Sequence, residues 1–179
     1  RLSARAARRC ADRLADAWMR LAAADRAAVR ANLSLVLGRP VSDQDPRLAE
    51  TFRFFGRYLV EFFTSHQLAD QDVTVEGGHR LAEALRHRRG AIILTAHLGN
   101  WELGAVVLKR MGWPVSVVAL PHADARMNRL FNRQRERCGL EVIPLGPQAA
   151  RRSLQVLGAG GLLGLLGDRE YADNGLQAS

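Results

Sequence analysis

The sequence predicts an α/β fold, with a helical N-terminal layer followed by a mostly parallel βαβ sheet. Residues 1–37 are rich in Ala, Leu and Arg, and their apolar residues recur at helical spacing. From residue 73 onward, short apolar runs alternate with helical segments, which is typical of βαβ units. Nearly half of the 179 residues are apolar, which is enough for one folded domain with a sizeable core.

The N-terminal part is predicted to contain three helices. Leu14, Trp18 and Leu21 mark the first, and "AAADRAAVRANLSLVLG" predicts a second that ends at Gly38. After the loop "GRPVSDQDP", residues 46–67 predict a third helix with an aromatic face, which we expect to pack on the core. The alternative is that part of this face contacts acyl chains or a bilayer. Its aromatic residues are Phe52, Phe54, Phe55, Tyr58, Phe62 and Phe63.

The remainder of the chain is predicted to alternate strands and helices within a single domain over residues 1–179. Residues 1–70 form its helical part and residues 71–179 its α/β part. "AIILTAH" is a continuous apolar run of the kind that is buried on both faces of a parallel sheet. The predicted strands are "VTVEG", "AIILTAH", "WPVSVVALP", "LEVIPLG" and "GLLGLLGD". The intervening helices are "GHRLAEALRHRRG", "WELGAVVLKRMG", "ADARMNRLFNRQRERCG" and "PQAARRSLQVLGAG".

Charge and cysteine content restrict the possible partners. The 26 basic and 18 acidic residues leave a net charge of +8, which favours nucleic acid, phosphorylated metabolites or anionic lipid surfaces. "RHRRG" precedes a buried strand and lacks interleaved aromatics, so we expect no nucleic acid, although a nucleic-acid-binding module remains the distant alternative. Cys10 and Cys138 stand far apart, which argues against a zinc site and a disulfide framework. We expect no metal.

Two other motif-like stretches are rejected on their context. "GAGGLLG" resembles a dinucleotide-binding loop, but it follows a helix and enters a strand, whereas that loop leaves a strand and opens a helix. The histidine and glutamate of "HLGNWE" lack the H-E-x-x-H spacing and a third ligand that a metal hydrolase requires. We therefore expect no bound cofactor.

The stretch "ILTAHLGNWELG", residues 93–104, contains the candidate reactive group. His97 ends an apolar strand, and ligands of open α/β sheets bind at the carboxyl ends of strands. The turn at Gly99 and Asn100 is expected to fold Glu102 back towards the imidazole, where a carboxylate fixes the tautomer. Asp168 ends the last predicted strand in the same way. The alternative for His97 is a purely structural histidine.

His97-Leu-Gly-Asn-Trp-Glu102 resembles the H-x4-D/E motif of the lysophospholipid, or glycerolipid, acyltransferase superfamily. The branch that the sequence resembles is the bacterial lipid A biosynthesis (late) acyltransferases and their relatives, the phosphatidylinositol mannoside acyltransferases. Two further blocks agree in order and rough spacing, "RQRERCGLEVIPLG" and "GLLGLLGDRE", and "RANLSLVLG" resembles the early helix of the family. The triplet "DRE" resembles the form found on the mannoside-acyltransferase side. The resemblance implies a glycerolipid-acyltransferase-like fold.

The resemblance also implies a reaction. A fatty acyl group would pass from an acyl carrier protein or coenzyme A thioester to a hydroxyl of a lipid or glycolipid such as a lipid A precursor, within lipopolysaccharide biosynthesis. The alternatives are a phosphatidylinositol mannoside or a lysophospholipid acceptor. His97 would be the general base and Glu102 its partner, because a hydroxyl needs a base in the transition state. Backbone amides near Gly99 and Asn100 would stabilise the oxyanion.

The same resemblance assigns substrate-binding roles to the other two blocks. Arg135, four residues before Gly139, would bind phosphate or lie near the acidic block, with Arg133 and Arg137 as second choices. Asp168 would hold this arginine or a substrate hydroxyl, and Arg169 would also contact substrate. The alternative for Asp168 is a local ion pair in a loop. Arg126, Arg129, Arg133 and Arg137 share one helix face, expected to meet solvent or lipid headgroups.

Location and completeness are expected from the net charge, the aromatic helix, the two ends of the sequence and the resemblance together. We expect the protein at an anionic membrane surface, on the cytoplasmic face of the inner (plasma) membrane. It would be peripheral, or anchored by a segment that is not present in this sequence. The family domain is longer than 179 residues, so we expect that the sequence is truncated at both ends and lacks the C-terminal portion.

Overall fold

A computed structural model describes residues 3–66 and 73–168. It contains seven helices and a four-stranded parallel sheet in these ranges, which confirms the predicted fold class. The chain divides into two compact units, Arg1–Thr64 and Ser65–Ser179. The first is helical, and the second holds the sheet with its flanking helices.

The first unit consists of three helices, α1 (Ala4–Leu21), α2 (Ala23–Leu37) and α3 (Pro46–Thr64). Ser3 caps α1. The predicted end of α2 at Gly38 is confirmed, and this glycine adopts the left-handed conformation. Small residues let α1 and α3 pack closely, because a Cβ at Gly56 would lie 3.2 Å from the carbonyl oxygen of Ala11. Two bidentate ion pairs, Arg53–Asp16 and Arg57–Asp12, join the same two helices at 2.7–2.9 Å.

The aromatic face of α3 is divided between the core and the surface. Phe52 and Phe62 are buried, whereas Phe54 and Phe55 are 59% and 61% exposed. The buried rings agree with packing on the core, and contact of the exposed rings with acyl chains or a bilayer stays a prediction. Among the described residues, no helix has the length and apolar composition needed to cross a membrane.

The second unit begins with α4 (Gly78–Leu85) and continues as an alternation of strands and helices. The strands are β1 (Ala91–Thr95), β2 (Val115–Ala119), β3 (Glu141–Pro144) and β4 (Leu162–Leu166). The helices between them are α5 (Trp101–Arg110), α6 (Ala125–Arg137) and α7 (Ala149–Gly158). The strand order is β1-β4-β2-β3, with every neighbour parallel, so β4 lies between the first two strands.

Two apolar clusters cover opposite faces of the sheet. Val115 and Leu162, directly opposite each other in the ladder, face the cluster formed with α4 and α5. Leu163 faces the other way and packs with Val156 of α7. The sheet therefore positions its carboxyl edge between two packed helical layers.

Two predicted features of this unit are wrong. The segment "VTVEG" is not a strand in the described range 73–77, where Val73 and Val75 are half exposed and have no strand partner. The run "AIILTAH" is not buried on both faces. Ile92 and Leu94 are 54% and 71% exposed, because β1 lies at the edge of the sheet and the α7 cluster covers the strands beside it.

Candidate active site

The register of β1 and β4 brings His97 and Asp168 together. Thr95 and Leu166 are paired in the parallel ladder, and the Gly167 amide donates to the Thr95 carbonyl at 2.9 Å. His97 and Asp168 each stand two residues beyond these paired strand ends. Because parallel strands end at a common edge, two side chains distant in sequence meet there.

His97 and Asp168 form two hydrogen bonds. The backbone N–H of His97 donates to Oδ2 of Asp168 at 3.0 Å, and the imidazole Nδ1 lies 2.8 Å from Oδ1. These contacts, the backbone donor first, lower the pKa of Asp168 below its ordinary value. The carboxylate is therefore ionised at neutral pH, and it favours the tautomer that carries a proton on Nδ1.

The imidazole of His97 is held on a second side by an aromatic ring. Trp101, the first residue of α5, meets it edge-to-face with 4.7 Å between the ring centroids and 75° between the planes. The His97 side chain is only 18% exposed. Its Nε2 makes no hydrogen bond with any described residue, so the orientation that Asp168 and Trp101 impose leaves this nitrogen available to a substrate.

Glu102 forms no hydrogen bond with the His97 ring, so the expectation that its carboxylate orients the imidazole is wrong. Glu102 is 5% exposed and lies on the face of α5 that also buries Val106 one turn later, so it points towards the core side of the helix. There its carboxylate accepts hydrogen bonds from Nε of Arg135 at 3.0 and 3.1 Å, and from the guanidinium terminus. Asp168 occupies the position that Glu102 was expected to fill.

Arg135 is the one arginine of its block that turns inwards. Its side chain is 12% exposed and is shared between Glu102 and Asn132, whose Oδ1 accepts from Nη1 at 3.1 Å. Arg135 therefore binds Glu102 and not the acidic block at Asp168. Arg133 and Arg137, the second choices, are exposed on the outer face of α6. Arg169 lies outside the described residues.

The turn between His97 and α5 supplies backbone donors. Gly99 adopts a left-handed conformation with φ of 61°, and Asn100 caps α5 by accepting from the Leu103 amide at 3.1 Å. The Gly99 N–H forms no hydrogen bond with the described residues. The turn therefore presents at least one unused donor near the base.

Two contacts of the site were not anticipated from the sequence. Trp101 lies inside the "HLGNWE" motif, four residues after His97, and this spacing was the available signal. Asn132 precedes Arg135 by three residues, a helical spacing that places the two side chains on neighbouring positions of α6. Neither spacing alone distinguishes a site contact from ordinary packing.

Comparison with known proteins identifies the family. The model of the family described as bacterial lipid A biosynthesis acyltransferase matches residues 1–178. The chain belongs to this acyltransferase family. Among curated relatives, a phosphatidylinositol mannoside acyltransferase of Mycolicibacterium smegmatis is 31% identical over 122 residues, covering 65% of this chain and 40% of the relative. The enzyme of the same name from Mycobacterium tuberculosis is 32% identical over 124 residues, covering 65% and 39%.

The family match covers both units, whereas the chain spans about two fifths of the length of these curated relatives. The site residues His97, Glu102, Arg135 and Asp168 all lie within the matched range. The family thus agrees with the resemblance that the three sequence blocks indicated.

Proposed function

We propose that the protein transfers a fatty acyl group from an acyl thioester to a hydroxyl of a glycolipid, with His97 as general base. The observation that supports the proposal most directly is the hydrogen bond between Nδ1 of His97 and Asp168. It leaves Nε2 as the acceptor for a proton, and a hydroxyl nucleophile requires such an acceptor.

The proposed reaction proceeds by direct attack. The acceptor oxygen bonds to the thioester carbonyl carbon while Nε2 of His97 takes the hydroxyl proton. The resulting imidazolium is stabilised by the ionised Asp168 carboxylate. Collapse of the tetrahedral intermediate breaks the carbon–sulfur bond, and the imidazolium returns its proton to the departing thiolate. No covalent enzyme intermediate is required.

The remaining residues have supporting roles in this proposal. The Gly99 amide is the donor we assign to the oxyanion. Glu102 and Arg135 do not act on the proton; their buried ion pair fixes the start of α5 against α6 and thereby holds the His97–Trp101 segment. This replaces the arrangement in which Glu102 orients His97. Contact of Arg169 with substrate stays a prediction from the sequence.

The acceptor is proposed from the relatives, which are named phosphatidylinositol mannoside acyltransferases. We propose a glycolipid of this kind or a lipid A precursor, with an acyl carrier protein or coenzyme A thioester as donor. The protein would act at the cytoplasmic face of the plasma membrane, where both substrates meet.

Acyl transfer with labelled donor tests the proposal. We expect His97→Ala to lower kcat at least about 10²-fold, because general-base catalysis contributes roughly 10²–10⁴-fold. His79→Ala, an exposed histidine of α4, is the matched control and should retain activity. Parallel assays with glycolipid and lysophospholipid acceptors, and with both donor classes, identify the substrates. Activity of His97→Ala within about threefold of the wild type would contradict the assignment of the base.

A further inference from the structure

Four arginines form a continuous row along the outer face of α6. At 100° per residue, Arg126, Arg129, Arg133 and Arg137 fall within about 80° of one another around the helix axis. With a rise of about 1.5 Å per residue, the row extends over roughly 16 Å. All four residues are exposed. We call this set the arginine row.

The arginine row is left without acidic partners, unlike several other arginines of the protein. None of its members forms an ion pair or side-chain hydrogen bond with a described residue. By contrast, Arg53 and Arg57 are paired with aspartates, and Arg135 of the same helix is paired with Glu102. Glu136, which lies beside the row, is exposed and pairs with none of the four. Four positive charges are therefore available to an external anionic surface.

An exposed apolar side chain, Leu130, borders the arginine row, with exposed Met127 next to it. Leu130 and Met127 are 48% and 44% exposed. Leu130 lies between the arginines and the buried face of α6, and Met127, three residues earlier, lies on the sector that contains buried Phe131. A helix with a basic stripe beside exposed apolar side chains suits the headgroup region of a bilayer, where arginine meets phosphate and the apolar groups leave water.

The helix also has a fixed relation to the active site. β2, which precedes α6, is parallel to β4 and β1, so α6 begins at the same sheet edge that carries His97 and Asp168. From the other side of α6, Arg135 reaches Glu102. The Arg126 end of the row is therefore the end that starts at the edge where acyl transfer is proposed, and a membrane bound there would lie beside that edge.

From these observations we infer that the arginine row binds the protein to anionic phospholipid headgroups and presents the active-site edge to a lipid acceptor in the bilayer. The part of the inference that concerns the lipid acceptor rests on the proposed function, but headgroup binding is measured without catalysis. An acidic protein partner is the competing occupant. We favour the bilayer because the row is straight, exposed Leu130 lies beside it, and exposed Met127 neighbours Leu130.

Sedimentation of the intact protein with vesicles tests the inference. The vesicles are equimolar phosphatidylglycerol and phosphatidylcholine, or phosphatidylcholine alone. The test variant changes the four arginines of the row to Gln, and a second variant changes them to Lys. The control variant changes four exposed arginines elsewhere in the same unit, Arg80, Arg88, Arg89 and Arg151, to Gln and so removes the same charge.

We expect the wild type to bind the anionic vesicles and to be released as salt rises. Each basic residue near an anionic surface contributes about fivefold in affinity, so the Gln variant should bind roughly 100-fold more weakly or worse. The Lys variant should bind within about tenfold of the wild type, and the control variant should lose markedly less than the Gln variant. The Gln variant should keep its kcat towards acceptor dispersed in detergent, while its KM for acceptor in anionic vesicles rises.

Several results would overturn the inference. The first is equal binding of the wild type to both kinds of vesicle. The second is an equal loss of vesicle binding in the Gln variant of the row and in the control variant. The third is a Gln variant that binds vesicles as the wild type does but has lost affinity for acidic acyl carrier protein. A protein that binds vesicles through the row yet shows no acyl transfer would refute the proposed function and leave the headgroup site standing.

Discussion

The imidazole Nδ1 of His97 lies 2.8 Å from Oδ1 of Asp168, although 71 residues separate the two in the sequence. The same carboxylate accepts the backbone N–H of His97 through its other oxygen. Two contacts to one carboxylate fix both the position and the tautomer of the ring. Substitutions in the His97–Asp168 pair should change catalysis, whereas substitutions in the buried Glu102–Arg135 pair should change stability.

Replacing Asp168 by Asn should lower kcat with little change in KM. The amide is isosteric, but it is neutral and does not stabilise the imidazolium, and it permits the other tautomer. We expect a loss of about 10²-fold, smaller than the roughly 10⁴-fold loss known for a buried triad aspartate, because Asp168 is partly exposed. Steady-state kinetics measure kcat and KM separately. A variant with unchanged kcat would show that Asp168 has no part in the proton transfer.

Replacing Glu102 by Gln should chiefly affect stability. The substitution leaves the guanidinium of Arg135 largely buried without its counter-charge, and loss of one partner of a buried pair typically costs about 3–5 kcal/mol. Arg135→Lys should be destabilising as well, because an ammonium does not reproduce the two-pronged contact. Urea unfolding measures the free energy of unfolding of both variants, with Glu136→Gln on the exposed face of α6 as control. Equal stability of Glu102→Gln and the control would contradict a structural role for the pair.

The turn at Gly99 should tolerate no side chain without strain, although it has space for one. Nothing lies within 4 Å of a Cβ placed there, but φ is +61°, so alanine at this position should cost about 1 kcal/mol. Gly104 is the matched control, because it also has open space but lies inside α5. There alanine should stabilise the protein by up to about 1 kcal/mol. Thermal unfolding of the two variants should therefore shift in opposite directions.

The ion pairs between α1 and α3 predict a pH dependence of the helical unit. Hydrogen bonds from Arg57 and Arg53 lower the pKa values of Asp12 and Asp16 below the ordinary value of about 3.9. A lowered folded-state pKa contributes stability that is present above the unfolded value and is lost as pH falls through the folded value.

Hydrogen exchange of the α1 amides, corrected for intrinsic rates, tests this dependence in the intact protein. In a double variant that carries Asp12→Asn and Asp16→Asn, protection of the α1 amides should be lower than in the wild type near neutral pH. The difference in protection between the two proteins should disappear as pH falls below about 4. Asp43→Asn, which breaks the exposed Arg30–Asp43 pair, should have a smaller effect. A wild-type advantage that persists fully in acid would show that the carboxylate charges are not responsible.

Much of the architecture was determined by local pattern. Gly38 ends α2 because glycine adopts the left-handed cap at low cost, and the apolar runs that became β1 to β4 are separated by helical periods. The prediction for Val73–Val75 was wrong because a strand needs a hydrogen-bonding partner, which composition does not show. The candidacy of His97 and Asp168 followed from their positions at strand ends, because that edge is where α/β folds bind ligands.

Tertiary structure alone decided which side chains meet. The order β1-β4-β2-β3 inserts the last strand beside the first, and this crossover brings Asp168 to His97. Glu102 is five residues from His97, yet the helix turns it inwards to Arg135, because a side chain on the face of Val106 is directed to the core. Sequence spacing determines which residues can lie on one strand or one helix face. Which residue a side chain contacts on another strand or helix depends on strand order and helix packing, which are properties of the whole unit.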